Sequence, residues 1–140
     1  MPYVNVVFDC TKISQEIVDQ LKLWLQQAVA DVLSNPDTLD IPITPEVSVE
    51  LALGAIETLP EEIMVTQYVA HPTDVNVPPL EIYIQAGRPK RRSGDKIVRL
   101  LGGLVAASGL IPEEHLGEGL SGIFITFHPD NGFGFIPRRS

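Results

Sequence analysis

Arg88, Lys90, Arg91 and Arg92, in "RPKRR", put four of the chain's ten Lys and Arg residues within five positions. Guanidinium and ammonium groups that close together suit a small anion, and above all a carboxylate, which the planar fork of an arginine meets with two parallel hydrogen bonds. Ser93 caps the helix expected to follow, so the cluster lies where the helix dipole favours anions and disfavours cations; four cations there need an anion or acidic side chains to offset them. The alternative is a solvated basic patch or an ion pair between subunits.

Other residues with chemical potential lack the context for it. "GEGLSG", Gly117 to Gly122, spells G-x-G-x-x-G, but it precedes a strand instead of following one, so it is expected to be a loop. His71, His115, His128 and Cys10 have no short ligand spacing, and no metal site is expected. Cys10 has no activating neighbour in the sequence and is expected to be a buried, inert thiol. Glu113 and Glu114 follow Pro112 and read as a solvated turn.

The 140 residues, 44% of them hydrophobic, are enough for one domain with a sizeable core. No apolar run approaches the roughly 20 residues of a membrane span, and no basic and apolar leader precedes the first strand, so a cytoplasmic protein without membrane contact is expected. The net charge of −8 is uneven: residues 1–78 hold two Lys and twelve acids, residues 79–140 eight Lys/Arg and six acids. A field that repels phosphate backbones argues against nucleic acid as a partner.

The elements repeat. "PYVNVVF" reads as a strand, and "SQEIVDQLKLWLQQAVADVLS" as a helix capped by Ser14 and stopped at Asn35-Pro36. "TPEVSVELAL" reads as the strand that completes a β-α-β unit. After it, "IMVTQYVA" reads as an extra edge strand. "PLEIYIQA" then starts a second unit, with a helix through "GDKIVRLLGGLVAAS" that ends at Gly109, a main strand in "GIFITF" and a short one in "GFGFIP". Gly102 and Gly103 in that helix suggest close packing. The expected fold is one α/β (α+β) domain over 1–140, a duplicated β-α-β with pseudo-repeats 2–53 and 79–128. Its mixed four-stranded sheet would carry two helices on one face, with short extra strands besides.

In this order and spacing, "MPYVNVVF", "IYIQAGR", "RSGDKIVRLLGGL" and "IFITFHPDNGFGF" resemble the tautomerase superfamily, which includes 4-oxalocrotonate tautomerase and macrophage migration inhibitory factor. The resemblance implies a cofactor-independent isomerase of a small 2-oxo acid or enol. Pro2, freed by removal of Met1, would be the general base, since a terminal amine has a pKa of about 7.7–8.0 that burial and nearby cations lower further. Arg88 matches the arginine of the family's Gly-Arg and would hold the substrate carboxylate, with Lys90, Arg91 and Arg92 as further cations and Phe133 or Phe135 as an apolar wall. Some branches of the superfamily hydrate or decarboxylate unsaturated acids with the same proline. The resemblance also implies a homotrimeric ring with the sheets facing inward. Two departures point to the alternative, a catalytically inactive binding or structural module: "IPITPEV" lacks the cation of the inhibitory-factor branch, and Phe124 and Phe127 stand where that branch has tyrosines.

Overall fold

A computed structural model describes residues 2–53, 57–70, 77–86, 92–126 and 131–139. It has five strands, β1 (Tyr3–Asp9), β2 (Met64–Ala70), β3 (Leu80–Gln85), β4 (Gly122–Thr126) and β5 (Asn131–Phe135), and three α-helices, α1 (Gln15–Leu33), α2 (Pro45–Ala52) and α3 (Gly94–Ser108). The strands form one mixed sheet in the order β2-β1-β3-β4-β5. β1 runs parallel to β2 and antiparallel to β3; β3 runs parallel to β4, and β4 and β5 form an antiparallel pair.

The two long helices follow their caps. The Ser14 side chain accepts from the Ile17 N–H and the Ser93 side chain from the Lys96 N–H, each relieving one orphan donor of a first turn. Gly109 ends α3 at φ 73°, a left-handed conformation that costs glycine little. Because side chains alternate along a strand, Val4, Val6, Phe8, Leu80, Ile82, Ile84, Ile123 and Ile125 share one face and join the buried cluster with Leu21, Leu25, Val29, Ile97, Leu101 and Val105 of α1 and α3. Each such side chain stabilises the fold by about 1.5–3 kcal/mol through burial.

Three expectations change here. The sheet has five strands, not four. "TPEVSVELAL" is not a strand: residues 45–52 are α2, with Thr44 accepting from the Val47 N–H, Pro45 in the first turn, where its missing N–H costs nothing, and Glu46 beside the positive end of the dipole. The parallel partner of β1 is instead β2, the segment read as an extra strand, which pairs with β1 along its whole length from Tyr3–Met64 to Asp9–Ala70. Gln15 and Gln67 exchange two amide hydrogen bonds, 2.8 and 2.9 Å, that tie β2 to the start of α1. Of the glycine pair, Gly102 is buried, where a Cβ would meet Pro137, the Phe135 carbonyl and Ile123 at 3.5–3.9 Å, and a Cβ at Gly103 would meet nothing within 4 Å; the tightest helix-to-sheet approach is elsewhere, where the backbones of Gly94 and Gly132 abut.

Cys10 is exposed, not buried. The chain turns at Asp9, whose buried carboxylate accepts from the Thr11 N–H (2.9 Å) and hydroxyl (2.6 Å), with the Lys12 ammonium 3.7 Å away, and this turn sends the next side chain outward. The Thr11 bonds first, and Lys12 after them, hold the Asp9 carboxyl below its ordinary 3.8 despite burial. A lowered folded pKa means stability that is complete above the unfolded value and lost as pH falls through the folded one. Asp9→Asn keeps an oxygen acceptor but not the charge. It should melt below the wild type at pH 7, and the gap should close as pH falls below about 4. Thermal melts of the two proteins from pH 7 to pH 2 check this.

Candidate functional site

Pro2 is half-buried at the entry to β1, and its carbonyl accepts from the Met64 N–H at 3.1 Å. It therefore lies at the strand end shared with the start of β2 and the end of β3, where Tyr3 is opposite both Met64 and Gln85. The chain leaves β3 through Ala86, whose N–H donates to the Thr126 carbonyl at 3.4 Å. Arg88, Lys90 and Arg91 come next in sequence and lie outside the described residues.

Arg92 is described. Its backbone bridges to Leu39, and the neighbouring Ser93 N–H donates to the Thr38 carbonyl at 2.8 Å. Its guanidinium is partly buried, and desolvation pushes its pKa down from the ordinary range. Nearby, the Lys96 ammonium donates to the Leu39 carbonyl at 2.8 Å and is 4.0 Å from the Asp40 carboxylate. Glu113, expected in a solvated turn, is ion-paired with Arg139 at 2.8 Å.

Phe133 and Phe135 are on β5, 48% and 40% exposed, on the sheet face opposite the helices. Two strands, β3 and β4, separate β5 from β1, a lateral distance of about 14 Å at normal strand spacing. Within one chain these rings and Pro2 do not line a common pocket. Instead the rings belong to an aromatic ladder across three strands. Tyr83 stacks on Phe124 at 4.8 Å, Phe124 meets Phe133 at 4.6 Å, and Phe133 meets Phe135 edge-on at 4.9 Å. Register aligns the ladder: Asn5, Tyr83, Phe124 and Phe133 are successive cross-strand partners. Sequence reasoning missed Tyr83 as part of this surface, although its signal was there, an aromatic at the polar position of an alternating strand.

The Tyr83 hydroxyl donates to Glu81 at 2.9 Å. Desolvation, followed by that carboxylate, pushes the phenol up to about 12, so near neutrality it is a hydrogen-bond donor and not a base. In an alkaline absorbance titration, one of the three tyrosines should fail to ionise until about pH 12, and Glu81→Gln should bring it part of the way back, because burial remains. With a raised folded pKa, the stability this phenol contributes is complete below pH 10 and lost as pH rises toward 12.

Among the described residues, no group of three or more His, Cys, Asp or Glu side chains is gathered as a metal site, and no helix is long and apolar enough to cross a membrane. In comparisons with known proteins, the chain matches no family model, no curated protein and no solved structure.

Proposed function

We propose that the protein is a cofactor-independent tautomerase of a small 2-oxo acid or its enol, with the Pro2 nitrogen as general base. The observation that carries the reading is the position of Pro2. It opens the strand that runs parallel to β2 and antiparallel to β3, half-buried beside the strand end from which the sequence continues into Gly87 and Arg88. Partial burial favours the neutral amine, which is the form that accepts a proton. In the reaction, the amine takes the enol hydroxyl proton, the electron pair re-forms the carbonyl, and the same proton is returned to the neighbouring carbon. Arg88 would hold the carboxylate with its planar fork, and Lys90, Arg91 and Arg92 would add positive potential.

Phe133 and Phe135 fit this reading only as walls supplied to another chain's site, because β3 and β4 separate them from Pro2 in their own chain. The helix-free face of the sheet, with Tyr3 48%, Tyr68 64% and Phe133 48% exposed, is the kind of surface that subunits of a ring would cover. On this reading the protein is a homotrimer, and light scattering should give roughly three times 15.3 kDa. A mass near 15.3 kDa at micromolar concentration would exclude the ring.

The catalytic test joins intact mass to turnover. Protein that begins at Pro2 should convert an enolised 2-oxo acid well above the buffer rate, and processed protein without activity would defeat the assignment. One observation favours a second reading, a binding or structural module without chemistry: Phe124 is packed between Tyr83 and Phe133 and offers no phenol where the family's inhibitory-factor branch has one. N-terminal sequencing of protein from its native host separates the two, since a methionine that persists there removes the basic amine.

A further inference from the structure

Helix α2 is amphipathic in the wrong direction for a helix that belongs only to its own chain. None of its residues is buried, and Val49 (60%) and Leu53 (80%) stand in water next to Glu46 and Glu50. These four positions, i, i+3, i+4 and i+7, make one face with an apolar stripe between carboxylates. Eight residues are too few for a helix to be stable on its own in water, where about 12–15 are needed even in favourable sequences. The surrounding segment is strongly one-signed: residues 36–62 hold seven acids, and no Lys or Arg occurs anywhere from residue 23 to residue 87.

A complementary surface lies at the β5 edge of the sheet. Between α3 and the outer edge of β5 runs a groove of about 480 Å³, lined by Val98, Gly102, Gly134 and Pro137 and by the strand edge at Phe133 and Phe135, whose rings lie on the other face of the sheet. Arg99 and Asp95 lie on its helical side. Arg99 pairs with no carboxylate side chain among the described residues; its Nε reaches only the Asp95 backbone carbonyl, at 3.5 Å. β5 is also the last strand of the sheet. The Ile136 N–H bonds to the Ser121 carbonyl, so antiparallel alternation turns the backbone groups of Phe133 and Phe135 away from β4, toward the groove.

We propose that the groove is the docking site for α2 of a second copy of this chain. Val49 and Leu53 would settle on Val98 and Pro137, with Glu46 and Glu50 beside Arg99. Both surfaces are carried by every chain, and neither is self-complementary. The contact is one arm into one groove, and either a two-fold dimer that exchanges arms or a closed ring leaves no arm or groove unfilled. This contact does not rest on the catalytic reading, and it is distinct from association through the open sheet face.

Charge exchange tests it. Glu46→Lys/Glu50→Lys and Arg99→Glu change exposed side chains only, so each variant should keep the fold, with at most the small loss in melting temperature that follows from a cation at the start of α2. In sedimentation velocity over 1–200 µM, each variant alone should associate at least tenfold more weakly than the wild type, and the triple variant carrying all three changes should recover most of the loss. In the background Cys10→Ser, a chain with Val49→Cys mixed with a chain with Asp95→Cys should form the mixed disulfide in preference to either homodimer. A wild type that stays monomeric to 200 µM would overturn the proposal. So would association that persists unchanged in Glu46→Lys/Glu50→Lys, an outcome that would assign self-association to the sheet face and leave the trimeric reading standing.

Discussion

A chain that carries any residue in front of Pro2 should turn over an enolised 2-oxo acid about 10²–10⁴-fold more slowly than the same chain beginning at Pro2, with no change in melting temperature. The reason is electronic. In a peptide bond the proline nitrogen is an amide without basicity, whereas as a chain terminus it is a secondary amine whose reference pKa of about 7.7–8.0 lies close to the working pH. The hydrogen bond that fixes this end of the strand goes from the Met64 N–H to the Pro2 carbonyl and does not involve the nitrogen, so blocking the nitrogen leaves the sheet intact. Assays of a protein with a cleavable N-terminal extension, before and after cleavage, check this on one preparation. Equal rates in the two states would remove Pro2 from the mechanism.

The largest effect on stability should come from one methyl group. A Cβ on Gly132 would lie 2.5 Å from the Gly94 carbonyl carbon, 2.6 Å from its oxygen and 2.9 Å from Ile125 Cγ2. Two of those three atoms are backbone and have no rotamer to change, so α3 would have to move off β5. Gly132→Ala should therefore destabilise by about 3 kcal/mol, the upper end for overpacking, and lower the melting temperature by about 2–4 °C per kcal/mol. Gly103→Ala is the contrast. Nothing lies within 4 Å of its Cβ position, and the gain in helix propensity should stabilise the protein by about 0.8–1 kcal/mol. Urea titration of both variants against the wild type measures the two signs in one experiment.

What could be read from the sequence was local. Ser14, Ser93 and Gly109 mark helix ends through hydrogen bonds and a backbone conformation confined to a few residues, and all three act where their types suggest. The segment 44–53 was ambiguous for a physical reason. Val47, Val49, Leu51 and Leu53 alternate as in a strand, while Thr44 and Pro45 start a helix, and the competition was decided by which segment paired with β1. Seven residues of β2, rich in Val, Thr and Tyr, took that position, an outcome of pairing distant in sequence.

The site divides in the same way. Pro2 and the cations from Arg88 to Arg92 stand out by type and spacing. The aromatic ladder does not, because Tyr83, Phe124 and Phe133 become neighbours only once the register of three strands is fixed. The abutting backbones of Gly94 and Gly132 are equally non-local, and their sequence signal, two ordinary glycines in a chain of eleven, pointed instead to Gly102 and Gly103.

The claim that Pro2 is a base is tested most directly by titrating its nitrogen. In protein labelled with [¹⁵N]proline, amide nitrogens do not ionise, so among the twelve prolines only a free N-terminal one has a ¹⁵N shift that follows its own protonation. The reading predicts one such titration, with a midpoint at or below about 7.7–8.0 that coincides with the acidic limb of the pH–rate profile. Twelve proline nitrogens without a titration between pH 4 and pH 10, in protein that still turns over the enol, would contradict it.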